Sequence, residues 1–78
     1  MVKINEISPH SRKPKLSSRE REILILLCEG HRNKQIAEAL NLSTRTVEAY
    51  RARLMRKLRL QSLPELVRYA VRSGIVQA

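Results

Sequence analysis

Aromatic side chains are nearly missing from this chain: it has no Trp and no Phe, and two Tyr make up 3% of its 78 residues. A platform on which single-stranded bases stack needs several exposed rings, so single-strand and RNA readout are disfavoured. Cysteine is equally scarce. The single Cys28 excludes an intrachain disulfide and suits a reducing compartment. The longest unbroken apolar run, Ile23 to Cys28, is too short to cross a bilayer. Met1 to Leu16 is polar, holds Pro9 and Pro14, and lacks the apolar stretch of a signal peptide. The expectation is a soluble cytoplasmic protein with no membrane partner. Catalytic constellations are lacking too: no Ser/His/Asp set or carboxylate pair sits on a readable scaffold, and no glycine-rich loop cradles a phosphate. Cys28 and His31 have C-x-x-H spacing, but His10 lies in the polar N-terminal stretch and no second pair completes a tetrahedral site. Cys28 reads as a small core residue and His31 as a solvated turn residue. No enzyme, metal site or cofactor is expected.

Acidic residues are the last shortage. Seven Asp plus Glu against sixteen Lys plus Arg leave a net charge of +9, and the pI is near 10.9. Such an excess attracts a polyanion, and charge alone does not choose between nucleic acid and an anionic membrane surface. The length is that of one small domain with a modest core.

What is present is organised by helical periodicity. Residues 1–15 lack it and read as a flexible basic arm or interdomain linker, either a loose tail or an electrostatic arm touching phosphates. Ser17-Ser18-Arg19-Glu20 fits a capping box, so a first helix starts there, with Ile23, Leu24 and Leu27 as its apolar stripe and Gly30 at its end. A second helix spans roughly Asn33 to Leu40, with Asn33 as N-cap and Ile36, Ala37 and Leu40 on one side. Asn41 follows, a residue that tolerates the left-handed backbone of a sharp turn. A third helix, Thr44 to Leu58, is capped by Ser43. Val47, Tyr50, Leu54 and Leu58 share one side; Arg45, Glu48, Ala49, Ala52, Arg53 and Arg56 share the other. The last helix begins near Ser62-Leu63-Pro64-Glu65, turns Leu66, Tyr69 and Ala70 inward, leaves Val67 and Val71 on a flank, and stops at Ser73-Gly74. Ile75 and Val76 are placed to fold back onto the core.

Two short helices joined by a tight turn, the second rich in Arg and Lys, form the pattern that sets its second helix in the major groove of duplex DNA. Small Ala49 and Ala52 among long basic side chains allow close approach to the groove floor. Glu48 is able to accept from cytosine N4, or else tunes affinity or pairs with Arg51. Ala49 and Ala52 touch a thymine methyl or give clearance only.

Several motifs in order and spacing resemble the LuxR/GerE-type helix-turn-helix domain: Leu16-Ser-Ser-Arg-Glu-Arg-Glu-Ile-Leu, Gly30, Asn33-Lys-Gln-Ile-Ala, Ser43-Thr-Arg-Thr-Val-Glu and Met55-Arg-Lys-Leu. Arg45-Thr-Val-Glu and Leu63-Pro-Glu-Leu-Val-Arg look most like the FixJ/NarL branch of response regulators. The resemblance covers residues 16 to 76 and implies an all-α, four-helix domain over 16–78 that acts in bacterial transcription regulation. It implies base reading by Glu48, Ala49 and Ala52. Phosphate contacts fall to Lys34, Ser43, Thr44, Arg45, Thr46, Tyr50, Arg51, Arg53 and Lys57. It further implies a homodimer on two DNA half-sites through the last helix; Val67 and Val71, helped by Leu63, form that seam or else belong to ordinary core packing. Many members carry a covalent receiver or ligand-binding domain, and these residues include none, so they read as the output domain of a two-component response regulator or as a free-standing regulator. The chain departs from the family pattern at three positions: Asn41 where Gly is frequent in the turn, Tyr50 where His is common, and Arg59 where Gly often ends the recognition helix. A competing reading keeps only the charge, as a basic interaction module that binds polyanions or an acidic protein without sequence specificity.

Overall fold

The computed structural model describes residues 15–77; the expected arm over residues 1–15 lies, Lys15 excepted, outside them. Among the described residues four helices follow one another and no strand forms: α1 Ser18–Cys28, α2 Asn33–Leu40, α3 Thr44–Leu58 and α4 Leu63–Arg72. The all-α expectation holds. At the start of α1, Ser17 Oγ accepts from the Glu20 amide at 3.1 Å while the Glu20 carboxylate accepts from the Ser17 amide at 2.9 Å. That reciprocal pair satisfies two amides that have no partner within the helix. Ser43 and Ser62 cap α3 and α4 through the amides of Thr46 (3.0 Å) and Glu65 (3.3 Å). Pro64 lies in the first turn of α4, where its missing N–H leaves no bond unmade.

One helix start differs from the expectation. Asn33 is the first helical residue of α2, and Arg32 is the capping position. The reason is local: Gln35 Oε1 accepts from the Arg32 amide at 2.8 Å, closing the helix start one residue earlier and leaving the Asn33 side chain out of the cap.

All four helices end in the same way. A residue in the left-handed region stands at each end, Gly30 (φ 93°), Asn41 (φ 58°), Arg59 (φ 58°) and Gly74 (φ 75°). The amide after each reaches back five residues: His31 to Leu26 (3.1 Å), Leu42 to Ala37 (2.8 Å), Leu60 to Met55 (2.9 Å) and Ile75 to Ala70 (2.9 Å). This closes carbonyls that would otherwise be unpaired. Leu42, Leu60 and Ile75 also lay their side chains on the core, so each turn is fixed by a backbone bond and an apolar contact together.

The core consists of Ile23, Leu24 and Leu27 from α1, Ile36 and Ala37 from α2, Val47, Leu54 and Leu58 from α3, and Leu66 and Ala70 from α4. Helix α1 packs against each of the other three, and α2 packs on α3. Each fully buried Leu, Ile or Val stabilises by about 1.5–3 kcal/mol relative to an exposed one. Burial of Val47, Leu54 and Leu58 therefore fixes the rotation of α3 about its axis, and with it the identity of the face turned to solvent.

Candidate nucleic-acid interface

Helix α3 presents the outward face its periodicity predicts. Thr44, Arg45, Glu48, Ala49, Ala52, Arg53 and Arg56 are exposed, and Thr46 and Arg51 are half-buried at its margins. The two alanines leave a shallow strip between long side chains. Lys34, on the first turn of α2, is exposed. Ser43 is exposed, but its hydroxyl is engaged twice, accepting from the Thr46 amide and donating to Thr46 Oγ1 at 2.8 Å. Ser43 and Thr46 thus first hold the start of α3, and the Thr46 hydroxyl keeps its own proton to donate.

Three of the expected phosphate-contacting cations have partners inside the protein. Arg51 Nη1 donates to Asn33 Oδ1 at 3.4 Å, a long bond that joins the start of α2 to the middle of α3. The Arg53 guanidinium lies 5.1 Å from the centre of the Tyr50 ring, within cation–π range, which steadies a flexible cation on a half-buried aromatic. Lys57 Nζ donates to Glu20 Oε1 at 2.9 Å and to the Lys15 carbonyl at 2.9 Å. Lys57 was expected as a phosphate contact, and its ammonium is held first by the fold. Charge and helical spacing alone gave no sign of this, because Glu20 lies 37 positions away in sequence.

The Glu20 side chain is 7% exposed and that of Lys57 36%. The Lys57 hydrogen bond, seconded by the Ser17 amide, holds the Glu20 carboxyl below its ordinary value of 4.5 although burial acts in the opposite sense. Glu48 differs: it is exposed and, among the described residues, pairs with no cation, Arg51 included. Asn33, Glu48, Arg51, Ala52 and Met55 line one groove of about 370 Å³.

The expected dimer seam is divided. Val67 and Val71 are half-buried and line an apolar groove with Ile25, Cys28, Ile75 and Val76. Leu63 is 37% exposed and opens instead onto the groove beside Ala52 and Met55. One helical stripe therefore meets two different surroundings. Burial raises the Cys28 thiol above its ordinary value, with the Glu29 charge adding to it, so at neutral pH it is a protonated packing group. His31 is exposed, its Nε2 3.6 Å from Glu29 Oε1. Among the described residues no three His, Cys, Asp or Glu side chains gather as metal ligands, and no helix is long and apolar enough to cross a membrane.

A sequence profile of the bacterial regulatory proteins of the luxR family matches residues 14–70. The oxygen regulatory protein NreC of Staphylococcus carnosus is 51% identical over 61 residues, which are 78% of this chain and 28% of NreC. The transcriptional regulatory protein FixJ of Azorhizobium caulinodans is 52% identical over 63 residues, 81% of this chain and 30% of FixJ. The chain thus spans less than a third of either relative. A solved structure of the Vibrio cholerae VqmA dimer, described as a LuxR-type receptor in the absence of its target DNA, superposes with a TM-score of 0.75. That match has 36% identity and covers 81% of this chain and 28% of VqmA.

Proposed function

Because this chain belongs to the luxR family of bacterial regulatory proteins, in its FixJ/NarL response-regulator branch, we propose that residues 16–78 bind specific sequences of double-stranded DNA as the output domain of a transcription regulator. The observation that carries the reading is the outward face of α3: a strip of Glu48, Ala49 and Ala52, flanked by the exposed cations Arg45, Arg53 and Arg56. Seated in the major groove, that strip faces base edges while the flanking cations reach phosphates.

Lys34, Thr44, Arg45 and Arg53 are the readiest phosphate contacts. Thr46, Arg51 and Tyr50 follow at the margin of the face. Ser43 contributes mainly by fixing the start of α3, and Lys57 contributes the donors left over from its pair with Glu20. Val67 and Val71 form the centre of a homodimer seam on DNA. VqmA, similar in fold, is itself a dimer with a DNA target. Residues 1–15 serve as a basic arm or as the linker to a covalent receiver domain in a longer protein, acting in the bacterial cytoplasm at the nucleoid.

Binding to duplexes across a salt series, together with selection from random DNA, tests the reading. The expected result is one recovered motif and an affinity that falls with salt at about −0.9 per neutralised phosphate on a logarithmic plot. Equal affinity for heparin, scrambled duplex and selected duplex would leave only a basic polyanion-binding module.

A further inference from the structure

Asn33 stands at the first position of α2 rather than at its cap, so the helix end does not engage its side chain. Its Oδ1 accepts from Arg51 Nη1 across 18 positions of sequence. Arg51 follows Glu48 by three residues on α3, the spacing at which an acid and a following base pair on a helix surface. The three side chains line one groove, yet the guanidinium is directed to the neutral amide and the Glu48 carboxylate is left exposed. Arg45, three residues before Glu48, offers the less favourable order of base before acid.

We infer that Asn33 is a specificity-determining positioning residue: by holding the Arg51 guanidinium, it keeps the Glu48 carboxylate free to accept a hydrogen bond from a base edge. A carboxylate already bonded by a guanidinium has lost lone pairs and negative charge to its partner. It then draws a cytosine amino group less strongly, and discrimination at that base pair weakens. Overall attraction to phosphate changes little, since the same charges remain on the same helix.

The inference rests on the base-reading role proposed for Glu48, and the experiment separates the two. Selection with the wild-type chain fixes the motif. Competition between duplexes that differ at one base pair then measures discrimination at each position. Glu48→Ala is expected to abolish the preference at a single pair; an unchanged motif would remove the base-reading role and this inference with it.

Given that loss, Asn33→Ala is expected to lower discrimination at the same pair by about 1.4-fold to 2.3-fold, the factor set by the strength of an i,i+3 ion pair. Other positions stay as in the wild type. Asn33→Ser keeps a polar residue at the helix start but is too short to reach Arg51, and is expected to match Asn33→Ala. Asn33→Asp retains the acceptor and the wild-type preference. In the Asn33→Ala, Arg51→Ala double variant no guanidinium remains to capture Glu48. Discrimination returns to the wild-type level there, while affinity for every duplex falls. Wild-type discrimination in both Asn33→Ala and Asn33→Ser, or a loss that the double variant does not reverse, would overturn the inference, because an ordinary structural role for Asn33 predicts no such rescue.

Discussion

The Glu20 carboxylate accepts from the Ser17 amide and from Lys57 Nζ on the same oxygen, so one side chain closes the start of α1 and ties it to the end of α3. Its folded pKa lies below the ordinary 4.5, and a lowered carboxylate pKa means that the unfolded chain binds the proton more tightly. The resulting stabilisation is complete above the ordinary carboxylate range and is lost as the pH falls through the lowered folded value. Glu20→Gln keeps the shape and an acceptor for Ser17 but removes the charge. Lys57 is partly hydrated, so the cost at pH 7 is expected to be about 1–2 kcal/mol, toward the lower end of the about 1.5–3 kcal/mol of a hydrogen bond to a charged group. Denaturant unfolding across pH checks the sign: the gap between wild type and variant is full at neutral pH and closes below about pH 4.5. A gap that is the same at pH 7 and pH 3 would show that packing, not the ion pair, holds the site.

The four helices were legible where the signal is local. Ser17, Ser43 and Ser62 mark three starts, the apolar spacing of Val47, Leu54 and Leu58 marks the buried face of α3, and Gly30 and Gly74 mark two ends. What was not legible depends on contacts between helices. The Glu20–Lys57 pair and the Asn33–Arg51 bond join residues 37 and 18 positions apart, and no local pattern announces either. Leu63 shares a helical stripe with Val67 and Val71 but opens onto a different groove: the two valines line one with Ile25 and Cys28 of α1, whereas Leu63 lines one with Ala52 and Met55 of α3. The start of α2 slipped by one residue because Gln35 closes the Arg32 amide. At the other end of an element, Arg59 adopts φ 58° where the helix end requires a left-handed backbone, a conformation that costs an L-residue with a Cβ about 1–2 kcal/mol. Glycine relieves that strain but gains freedom in the unfolded chain, which offsets part of it. Arg59→Gly is therefore expected to stabilise by about 0.5–1 kcal/mol and raise Tm by about 2–8 °C, whereas Arg59→Ala keeps the strain and gains nothing. Equal Tm values for the two variants would remove the strain at this position as an explanation.

At the scale of the whole molecule, charge opposes self-association until DNA is present. Each copy carries +9, and screening extends over only about 8 Å at physiological ionic strength, so two copies brought into contact repel one another. The apolar groove centred on Val67 and Val71 is also narrow: six apolar side chains line it, against about 20–30 residues per partner in a stable interface. Phosphates neutralise the cations of each bound copy, and two half-sites about one helical turn, or 10–10.5 bp, apart hold the grooves at high effective concentration. Dimerisation is therefore expected on DNA and not in free solution. Val67→Asp places a charge at the centre of the proposed seam, where it would lose hydration without gaining a partner. Binding to an isolated half-site is expected to survive, because α3 lies elsewhere on the fold. Cooperative occupancy of paired half-sites is expected to fall by about 5-fold to 150-fold, the range of coupling between linked sites. Titration of one-site and two-site duplexes reads the two effects separately, and circular dichroism confirms that the variant remains folded. Full cooperativity in a folded Val67→Asp protein would place the seam on another face of the domain.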